Sequence, residues 1–594
     1  MREVRISRLK LRVSWIDFWN WHKAANWIRT TRGGLNFLAV LVGAGAGLGA
    51  IIFRWLIVHA TEVFSGTKDY SAAGHIPNHH FPWLGIYFVI LAPAIGGLIY
   101  GPLVHRFAPE ARGHGVPEVM YAISHKGGRI PAKVAAVKSL ASAICIGSGG
   151  SVGREGPIVQ IGSAIGSSLG QRFKVSENRL RTLVACGAAG GIAATFNAPI
   201  AGVFFSLELL LGEFATEGFA TVVIASVTAS VIGRAAFRNV PFISLPSFSI
   251  NHPVQYLFYI VLGVLAALVG IMFTRVLYWI EDLCDRIWRG PEWARPAVGG
   301  LFLGLILLVL PEMYGVGYPV LQGGLEGKYA LGFLIVLLIG KMVATSFTIG
   351  IGGSGGVFAP SLFIGAMFGA AFGTVLHMIT PFYSGALGPY ALVGMGAVFA
   401  GAARAPMTAI VILFELTGDY TIILPLMLAI AVATIASRVF MNDTIYTLKL
   451  RRRGVDVSKK SNIERLNSQT VESIMLHQPA AIEWNLKLIA AADRIFAQGG
   501  EVRPVTKDGA VIGIVSAYAL SRAISRDEDL DSLIVENIIE QPPAIFTMTS
   551  IAAAIGALGG NEISAAPVLD SDENVVGWID QVSLLNAVSL SVSR

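Results

Sequence analysis

A single carboxylate stands inside an apolar, glycine-rich stretch, where an ionisable side chain is costly. Glu155 lies in the segment Gly153-Arg154-Glu155-Gly156-Pro157. A carboxylate at membrane depth is by default a functional group, and its flanking glycines leave backbone N–H groups within its reach. The alternative is an ion pair with Arg154, which we disfavour because adjacent residues on a helix do not face each other. Glu155 is therefore the first candidate functional residue.

Two further segments are also glycine-rich and also carry a proline. They are Gly113-His114-Gly115-Val116-Pro117-Glu118 and Gly356-Val357-Phe358-Ala359-Pro360. A helix that begins at such a segment points its positive dipole end and unpaired N–H groups towards an anion. Two or three such starts meeting at mid-membrane would bind an anion without a fixed cation, which would hold the ion too tightly. The alternative is that these glycines serve only close helix packing.

The elements that position these segments must be membrane helices. Of the 594 residues, 54% are hydrophobic and 14% are charged, whereas a soluble domain is about a quarter charged. Each clear apolar span approaches the ~20 residues that cross a bilayer; these spans are 35–60, 83–104, 254–278, 296–310, 330–348 and 420–440. Shorter apolar pieces are broken by glycine and proline, at 133–170, 182–212 and 357–415. Broken helices at membrane depth line a cavity or are buried in protein.

The membrane part repeats itself. Residues 138–166 match residues 341–369, and residues 196–208 match residues 403–415. Paired segments interrupted by glycine and proline indicate a transporter built from two halves, with its site between them. The sequence therefore predicts an all-α multi-span membrane protein of two homologous halves with broken helices. Whether the repeat is inverted is not visible in the residues themselves.

Charge is concentrated at the two ends of this part. Basic residues dominate 1–33 and recur at 449–453, and the net charge is +7. Because positive residues that flank membrane spans stay cytoplasmic, we expect both termini inside the cell. Segment 1–33 is either an interfacial amphipathic helix or a partly ordered tail. We expect no nucleic-acid partner, since no basic and aromatic groove pattern accompanies the charge.

After residue 450 the composition becomes that of a soluble domain, which also repeats. Val471 onwards resembles Val535 onwards, and the endings VIGIVSAYALSRAI and VVGWIDQVSLLNAV match as well. Each copy is typical of short strands with two amphipathic helices. We place a segment at 1–33, the membrane domain at 34–450 and an α/β tail at 451–594, with repeats at about 468–526 and 532–592.

Together these motifs resemble the CLC chloride channel and transporter family. The three segments follow the order of the family's GSGIPE, GREGP and GIFAP motifs, and the second is unchanged. The tail resembles paired cystathionine-synthase-type (CBS) domains. The resemblance implies an inverted repeat, chloride as the transported anion, protons that act on a glutamate gate at Glu155, and a homodimer with one pore per subunit. The expected dimer interface comprises 188–212 and 405–440.

The resemblance also assigns the residues around the anion. They are His114, Gly115, Val116, Arg154, Gly156, Val357, Phe358 and Tyr446. Lys138 matches a basic family residue near the pore, where it would concentrate anions; the alternative is a lysine that snorkels to the surface. For Tyr446 the alternative is a residue of the interfacial aromatic belt.

Two positions depart from the family pattern. The family's chloride-coordinating serine is replaced by His114, which can donate a hydrogen bond and become cationic. The internal proton-transfer glutamate of the family's antiporters is replaced by Leu209, with Glu208 beside it as a possible proton path. On a helix a one-residue step turns the side chain by about 100°, so Glu208 would face elsewhere. We therefore expect a channel or weakly proton-coupled conduction, with a proton-coupled chloride antiporter as the alternative.

Other classes fit less well. A cation channel governed by CBS domains would need acidic residues lining its spans, and the chain has few. An enzyme would need paired acids, a His–Glu metal motif or a Ser/Lys dyad within the spans, and none is present. The three cysteines lack metal-ligand spacing. The sequence thus implies no enzyme, no metal and no cofactor.

The tail should bind nucleotides poorly. CBS domains that bind nucleotides usually carry a ribose-binding aspartate near the end of each repeat, whereas Ala519 and Ser583 stand at those positions here. Without a carboxylate, adenosine loses its main polar anchor. We expect calorimetry on residues 455–594 to show no tight ATP binding. A micromolar dissociation constant would contradict this prediction.

Overall fold

The computed structural model describes most of the chain. The described residues are 26–72, 74–80, 82–212, 216–237, 252–455, 466, 469–476, 480–497, 502–525, 532–559, 565–572 and 574–593. Most of the segment predicted at 1–33 lies outside the described residues. The chain divides into two compact units, Met1–Val457 and Ser458–Arg594.

The first unit is helical in both of its halves. The first half contains α1 (Arg32–Ser65), α2 (Phe88–Phe107), α3 (Val116–His125), α4 (Lys133–Gly147), α5 (Glu155–Phe173), α6 (Glu177–Phe196), α7 (Pro199–Phe205, continued by a π-helical turn, Ser206–Leu211) and α8 (Thr216–Phe237). The second half contains α9 (Gln255–Ile287), α10 (Arg295–Val309), α11 (Tyr318–Leu325), α12 (Leu331–Gly350), α13 (Phe358–Ile379), α14 (Leu387–Ala403), α15 (Pro406–Thr417) and α16 (Ile423–Phe440). The short α17 (Thr447–Arg452) follows.

Seven of the described helices are long and apolar enough to cross a membrane. The prediction of an all-α multi-span protein with broken helices is confirmed, and each interrupted stretch is divided as expected, 133–170 into α4 and α5 for example. The span α8 and the short helix α11 were not predicted, whereas a helix start at the Gly113–Pro117 segment, where α3 begins, was expected. The helix α11 escapes detection because an apolar run of eight residues has no distinctive length.

Equivalent residues of the two repeats pair with each other at the centre. Gly153 donates its N–H to the Gly356 carbonyl at 2.7 Å, and Gly356 donates to the Gly153 carbonyl at 2.6 Å. The two glycines occupy matching positions, 203 residues apart (153 and 356). A reciprocal exchange between equivalent residues requires a local two-fold axis between them. This axis relates the halves in the manner that an inverted repeat requires.

Two carboxylates obey the same symmetry. Glu208, after α7, accepts hydrogen bonds from the N–H groups of Met407 and Thr408 at 3.1 and 2.8 Å. Glu415, on α15, accepts from the N–H groups of Ile200 and Ala201 at 3.0 and 2.7 Å. Each carboxylate therefore caps the first turn of the other half's helix, where unpaired N–H groups and the helix dipole favour a negative charge.

The expected dimer interface needs a correction. Residues 188–196, in the second part of α6, are buried within the subunit and cannot meet a partner. α6 packs there against α5 through glycines: a Cβ added to Gly162 or to Gly187 would collide with the backbone of the other. Within the expected interface, the first exposed large apolar side chain is Ile200, and Met407, Leu424 and Ile435 are exposed in its second segment.

The second unit contains two small mixed sheets, consistent with the predicted pair of CBS-type domains. One sheet is β1 (Ile482–Glu483), β2 (Val502–Lys507) and β3 (Ala510–Ser516), and the other is β4 (Ile545–Phe546), β5 (Ala565–Leu569) and β6 (Val575–Asp580). In both, the first pair of strands is parallel and the second antiparallel. Among the described residues of this unit, four longer helices accompany the sheets: α18 (Leu488–Ala497), α19 (Ala517–Ser525), α20 (Ile551–Gly559) and α21 (Gln581–Ser593).

The two repeats of this unit exchange their leading segments. Leu476, ahead of the first sheet, pairs with Trp578 on β6, and Glu540, ahead of the second sheet, pairs with Ile514 on β3. The N–H of Leu476 lies 2.7 Å from the carbonyl oxygen of Trp578. The leading segment of each repeat therefore adds backbone hydrogen bonds to the edge strand of the other repeat's sheet.

Removing either reciprocal cap should destabilise the membrane unit. Glu415→Ala leaves two N–H groups of α7 without their carboxylate, and we expect a loss of about 1 kcal/mol, comparable with the loss of a helix N-cap. Glu208→Ala should have a similar effect, and thermal unfolding in detergent measures both. Glu62→Ala is the control, because the Glu62 side chain makes no hydrogen bond to a described residue. Unchanged unfolding temperatures for both cap variants would contradict the prediction.

Candidate functional site, a carboxylate among converging helix starts

The Glu155 carboxylate occupies a position suited to an anion. Glu155 is the first residue of α5 and is 2% exposed. Its Oε2 accepts a hydrogen bond from the backbone N–H of Ala359 at 3.3 Å, and its Oε1 accepts from the Tyr318 hydroxyl at 2.6 Å. The Ala359 N–H belongs to the first turn of α13, so it has no partner within its own helix. The carboxylate thus takes a donor that would otherwise be available to an anion.

Glycines allow three helix starts to meet at this point. A Cβ on Gly156 would collide with the His114 carbonyl oxygen, and it would lie 3.0 Å from the Cα of Gly356. A Cβ on Gly115 would lie 2.6 Å from the Gly156 carbonyl oxygen, and Gly115 has a φ of 84°, which side chains rarely tolerate. Val116, Glu155 and Phe358, the first residues of α3, α5 and α13, are brought together by these contacts. The glycines therefore serve close helix packing, and the same packing brings the unpaired N–H groups of three helix starts together.

A fourth helix start, that of α11, joins the site and was missed by the sequence analysis. Tyr318 is its first residue, and the preceding Gly317 lies in the left-handed region. A signal was present: Gly315-Val316-Gly317-Tyr318-Pro319 repeats the pattern of Gly113-His114-Gly115-Val116-Pro117 in the other half. The second copy is harder to recognise because Val316 and Val320 stand where the first copy has the polar residues His114 and Glu118.

Two fully buried lysines secure these matching loops. Lys138 is 0% exposed and donates from Nζ to the carbonyl oxygens of Ala111 and Gly113, each at 2.8 Å. Lys341, at the equivalent position of the second half, is also 0% exposed and donates to the Gly315 carbonyl oxygen at 3.0 Å. The alternative of a snorkelling surface lysine is therefore wrong for Lys138. Its ammonium group orders the loop before α3 and leaves a positive charge beneath it.

Arg154 lies beside the carboxylate among aromatic rings. Its guanidinium carbon is 5.0 Å from the centre of the Tyr318 ring and 5.6 Å from that of Phe196. Rings at this distance attract a cation, so they hold the guanidinium next to the Tyr318–Glu155 hydrogen bond. The hydrogen bonds that place the Glu155 carboxylate come from Tyr318 and Ala359. Arg154 adds positive potential at the entrance to the site.

His114 is enclosed in basic surroundings. Its side chain is 1% exposed, and neither ring nitrogen has a hydrogen-bond partner among the described residues. Lys138 and Lys449 lie near enough to act on its charge, and the Tyr278 ring lies 6.2 Å away between centres. Buried polar atoms are normally satisfied, and ring nitrogens close to two ammonium groups suit a ligand that carries negative charge.

Tyr446 lies in the same region. It is 1% exposed and precedes α17, so a place in an exposed aromatic belt does not fit it. Its hydroxyl is near enough to Glu155 to lie in the electric field of that carboxylate. Val357 and Phe358, each 2% exposed, lie at the start of α13, where the Phe358 ring packs against Phe399 with centres 4.5 Å apart.

The two residues of the suggested proton path are differently placed. The Glu208 carboxylate is engaged by two N–H groups and also accepts from the Thr408 hydroxyl at 2.7 Å. A relay through Glu208 would have to disrupt these bonds. Leu209 packs against the main hydrophobic core of the membrane unit and has no ionisable group.

A cavity of about 460 Å³ opens beside the Tyr318–Glu155 hydrogen bond. Its lining includes Arg154 and Tyr318, which contact the Glu155 region directly, and also Arg54, Lys68 and Asp69. An anion that enters this cavity therefore arrives at the Tyr318–Glu155 hydrogen bond. We call this cavity the vestibule.

Comparison with known proteins agrees with this geometry. A family model described as "Voltage gated chloride channel" matches residues 96–438. The chain is 34% identical over 426 residues to the H(+)/Cl(-) exchange transporter ClcA of Vibrio cholerae, an alignment that covers 70% of this chain and 89% of the relative. It is 33% identical over 423 residues to a putative chloride channel protein ClcB-like of Ralstonia nicotianae, covering 70% and 97%.

Solved structures show the same fold. A slow cyanobacterial Cl-/H+ antiporter has a TM-score of 0.64 at 28% identity, over 72% of this chain and 99% of that one. A eukaryotic CLC transporter has a TM-score of 0.59 at 21% identity, over 92% and 97%. At that identity the second likeness concerns the fold alone. The family model matches more than half of the chain, and the relatives are aligned over most of their length. Together with the converging helix starts, these matches show that the chain belongs to the voltage gated chloride channel (CLC) family.

Proposed function

We propose that each subunit exchanges chloride for protons, with Glu155 as the gate. The observation that carries this proposal is the Glu155 carboxylate, buried and bonded to a backbone N–H at a helix start. In that position the ionised side chain competes with chloride for the same donor. Protonation removes its charge, weakens its hold on the Ala359 N–H, and frees the position for chloride. Each cycle of the side chain then couples one proton-binding event to anion movement.

Proton coupling is preferred here to the channel that the sequence analysis favours. Support comes from the relatives: one aligned along 89% of its length is named an H(+)/Cl(-) exchange transporter, and a structural neighbour at 28% identity is a slow Cl-/H+ antiporter. Leu209 favoured a channel, because it stands where the family's antiporters have a proton-transfer glutamate. Under exchange, a proton must reach Glu155 without a carboxylate at that position, and a chain of water molecules is the remaining relay.

The proposal includes an assembly and an orientation. The N- and C-termini face the cytoplasm, as the basic residues at both ends of the membrane unit favour. Two subunits associate through the exposed apolar side chains on α7, α15 and α16, which include Ile200, Met407 and Leu424. Each subunit contains all the helix starts around its own Glu155, so one pore per subunit is sufficient.

Liposomes test the exchange directly. With a chloride gradient as the sole driving force, wild-type protein should move protons against their gradient at a fixed ratio to chloride. Glu155→Ala should abolish proton movement and leave chloride flux that no longer depends on pH, because the competing carboxylate is absent. Wild-type chloride flux without proton movement would identify a channel and refute exchange. Proton movement retained in Glu155→Ala would refute the gate.

Tyr318→Phe should loosen the gate. The substitution removes the hydroxyl that donates to Glu155 at 2.6 Å, and a hydrogen bond to a charged group contributes about 1.5–3 kcal/mol. The ionised side chain should leave its closed position more readily, raising chloride turnover by about tenfold or more, as measured by chloride efflux from liposomes. Tyr256→Phe is the matched control, because the Tyr256 hydroxyl has no hydrogen bond within the described chain. Equal turnover in wild type and Tyr318→Phe would contradict the role.

A further inference from the structure

Arg54 is a guanidinium group in the second half of α1, near the far membrane face. It lies 22 residues after the first residue of α1, which at 1.5 Å per residue is about 33 Å along the helix and so about the full thickness of a hydrocarbon core. Its side chain lines the vestibule. Its guanidinium carbon lies 4.3 Å from the centre of the Phe237 ring.

The surroundings of Arg54 are positively charged. Arg54 lines the vestibule together with Arg154 and Lys68, against one carboxylate, Asp69. The Asp69 Oδ1 already accepts hydrogen bonds from the N–H and the hydroxyl of Ser71. Arg54 and Arg154 are near enough to repel each other. Arg154 lies beside the Glu155 carboxylate, and Arg54 adds a second guanidinium group to the same cavity, so the cavity attracts anions.

The vestibule is large for a single ion. Its volume is about 460 Å³, whereas a cavity needs only about 10–15 Å³ by this kind of measure to hold one water molecule. A chloride ion can therefore enter with much of its hydration shell, attracted by charge and not by direct coordination. Such a site raises the local anion concentration and lets the ion move on, since it does not bind the ion tightly.

We infer that Arg54 and Arg154 form an outer anion-binding site in the vestibule, which loads small monovalent anions such as chloride onto the gate. The inference rests on the proposed function, because it assigns the step before the exchange of chloride with the Glu155 carboxylate. The distance along α1 places this site on the membrane face opposite the N-terminal segment. Its effect is therefore one-sided: it concerns anions arriving from the vestibule side only.

Electrical recording from the two membrane faces tests the site. Exchange of an anion for a proton moves net charge, so currents in membrane patches report turnover while chloride is varied on one face. Arg54→Gln should raise the half-saturating chloride concentration on the vestibule face by about threefold to tenfold. The maximal current and the half-saturation on the other face should not change. Arg54→Lys, which keeps the charge, should stay close to wild type.

A control variant and a salt measurement on wild-type protein complete the test. Arg275→Gln is the control, since Arg275 is an exposed arginine of α9 that does not line the vestibule. In wild-type protein, added salt of impermeant ions should raise half-saturation more on the vestibule face than on the other, because it screens the two arginines. This test needs no variant that folds. Equal salt effects on both faces, or an unchanged half-saturation in Arg54→Gln, would overturn the inference. A failure of the proposed exchange would instead be seen in the wild type, as chloride flux without protons.

Discussion

The site depends on a contact that only glycine permits, the approach of three loops around Gly156. The Gly156 Cα lies against the His114 carbonyl on one side and the Gly356 backbone on the other, with no room for a Cβ. This approach brings the starts of α3, α5 and α13 to one point, as binding of a single ion by their unpaired N–H groups would require. A methyl group on Gly156 would push these starts apart and remove the common focus of their dipoles.

The membrane unit contains further contacts that obey the two-fold relation between its halves. Gly153 and Gly356 exchange hydrogen bonds, and Glu208 and Glu415 cap each other's halves. Functionally the halves differ: Glu155 stands in the first repeat, while the matching position of the second is Phe358. The shared scaffold thus places one carboxylate among donors from both halves. Matching lysines secure the loops before α3 and α11. The position that His114 holds in the loop before α3 is held by Val316 in the loop before α11, so the two loops differ chemically.

Much of the fold and part of the site were predictable from residues alone. Composition and span length indicated the membrane class, and the ordered glycine motifs indicated Glu155 and the starts of α3 and α13. The structure placed the predicted Val116, Glu155 and Phe358 at neighbouring helix starts. Span α8 was missed, and Tyr318 escaped notice because a tyrosine 163 residues after Glu155 in the sequence (155 and 318) gives no sign of contact.

By itself, the sequence determined which residue types are present at membrane depth: a carboxylate beside glycines, repeated loops and two basic ends. These follow from composition and local spacing, because lipid and helix geometry act on neighbouring residues. Only the tertiary structure decided what these residues contact. It buried Lys138 within a loop, engaged Glu208 as a helix cap, gave Glu155 a tyrosine donor and directed Arg54 into the vestibule. Such contacts join residues far apart in the chain, and they are set by how helices pack, which no local pattern encodes.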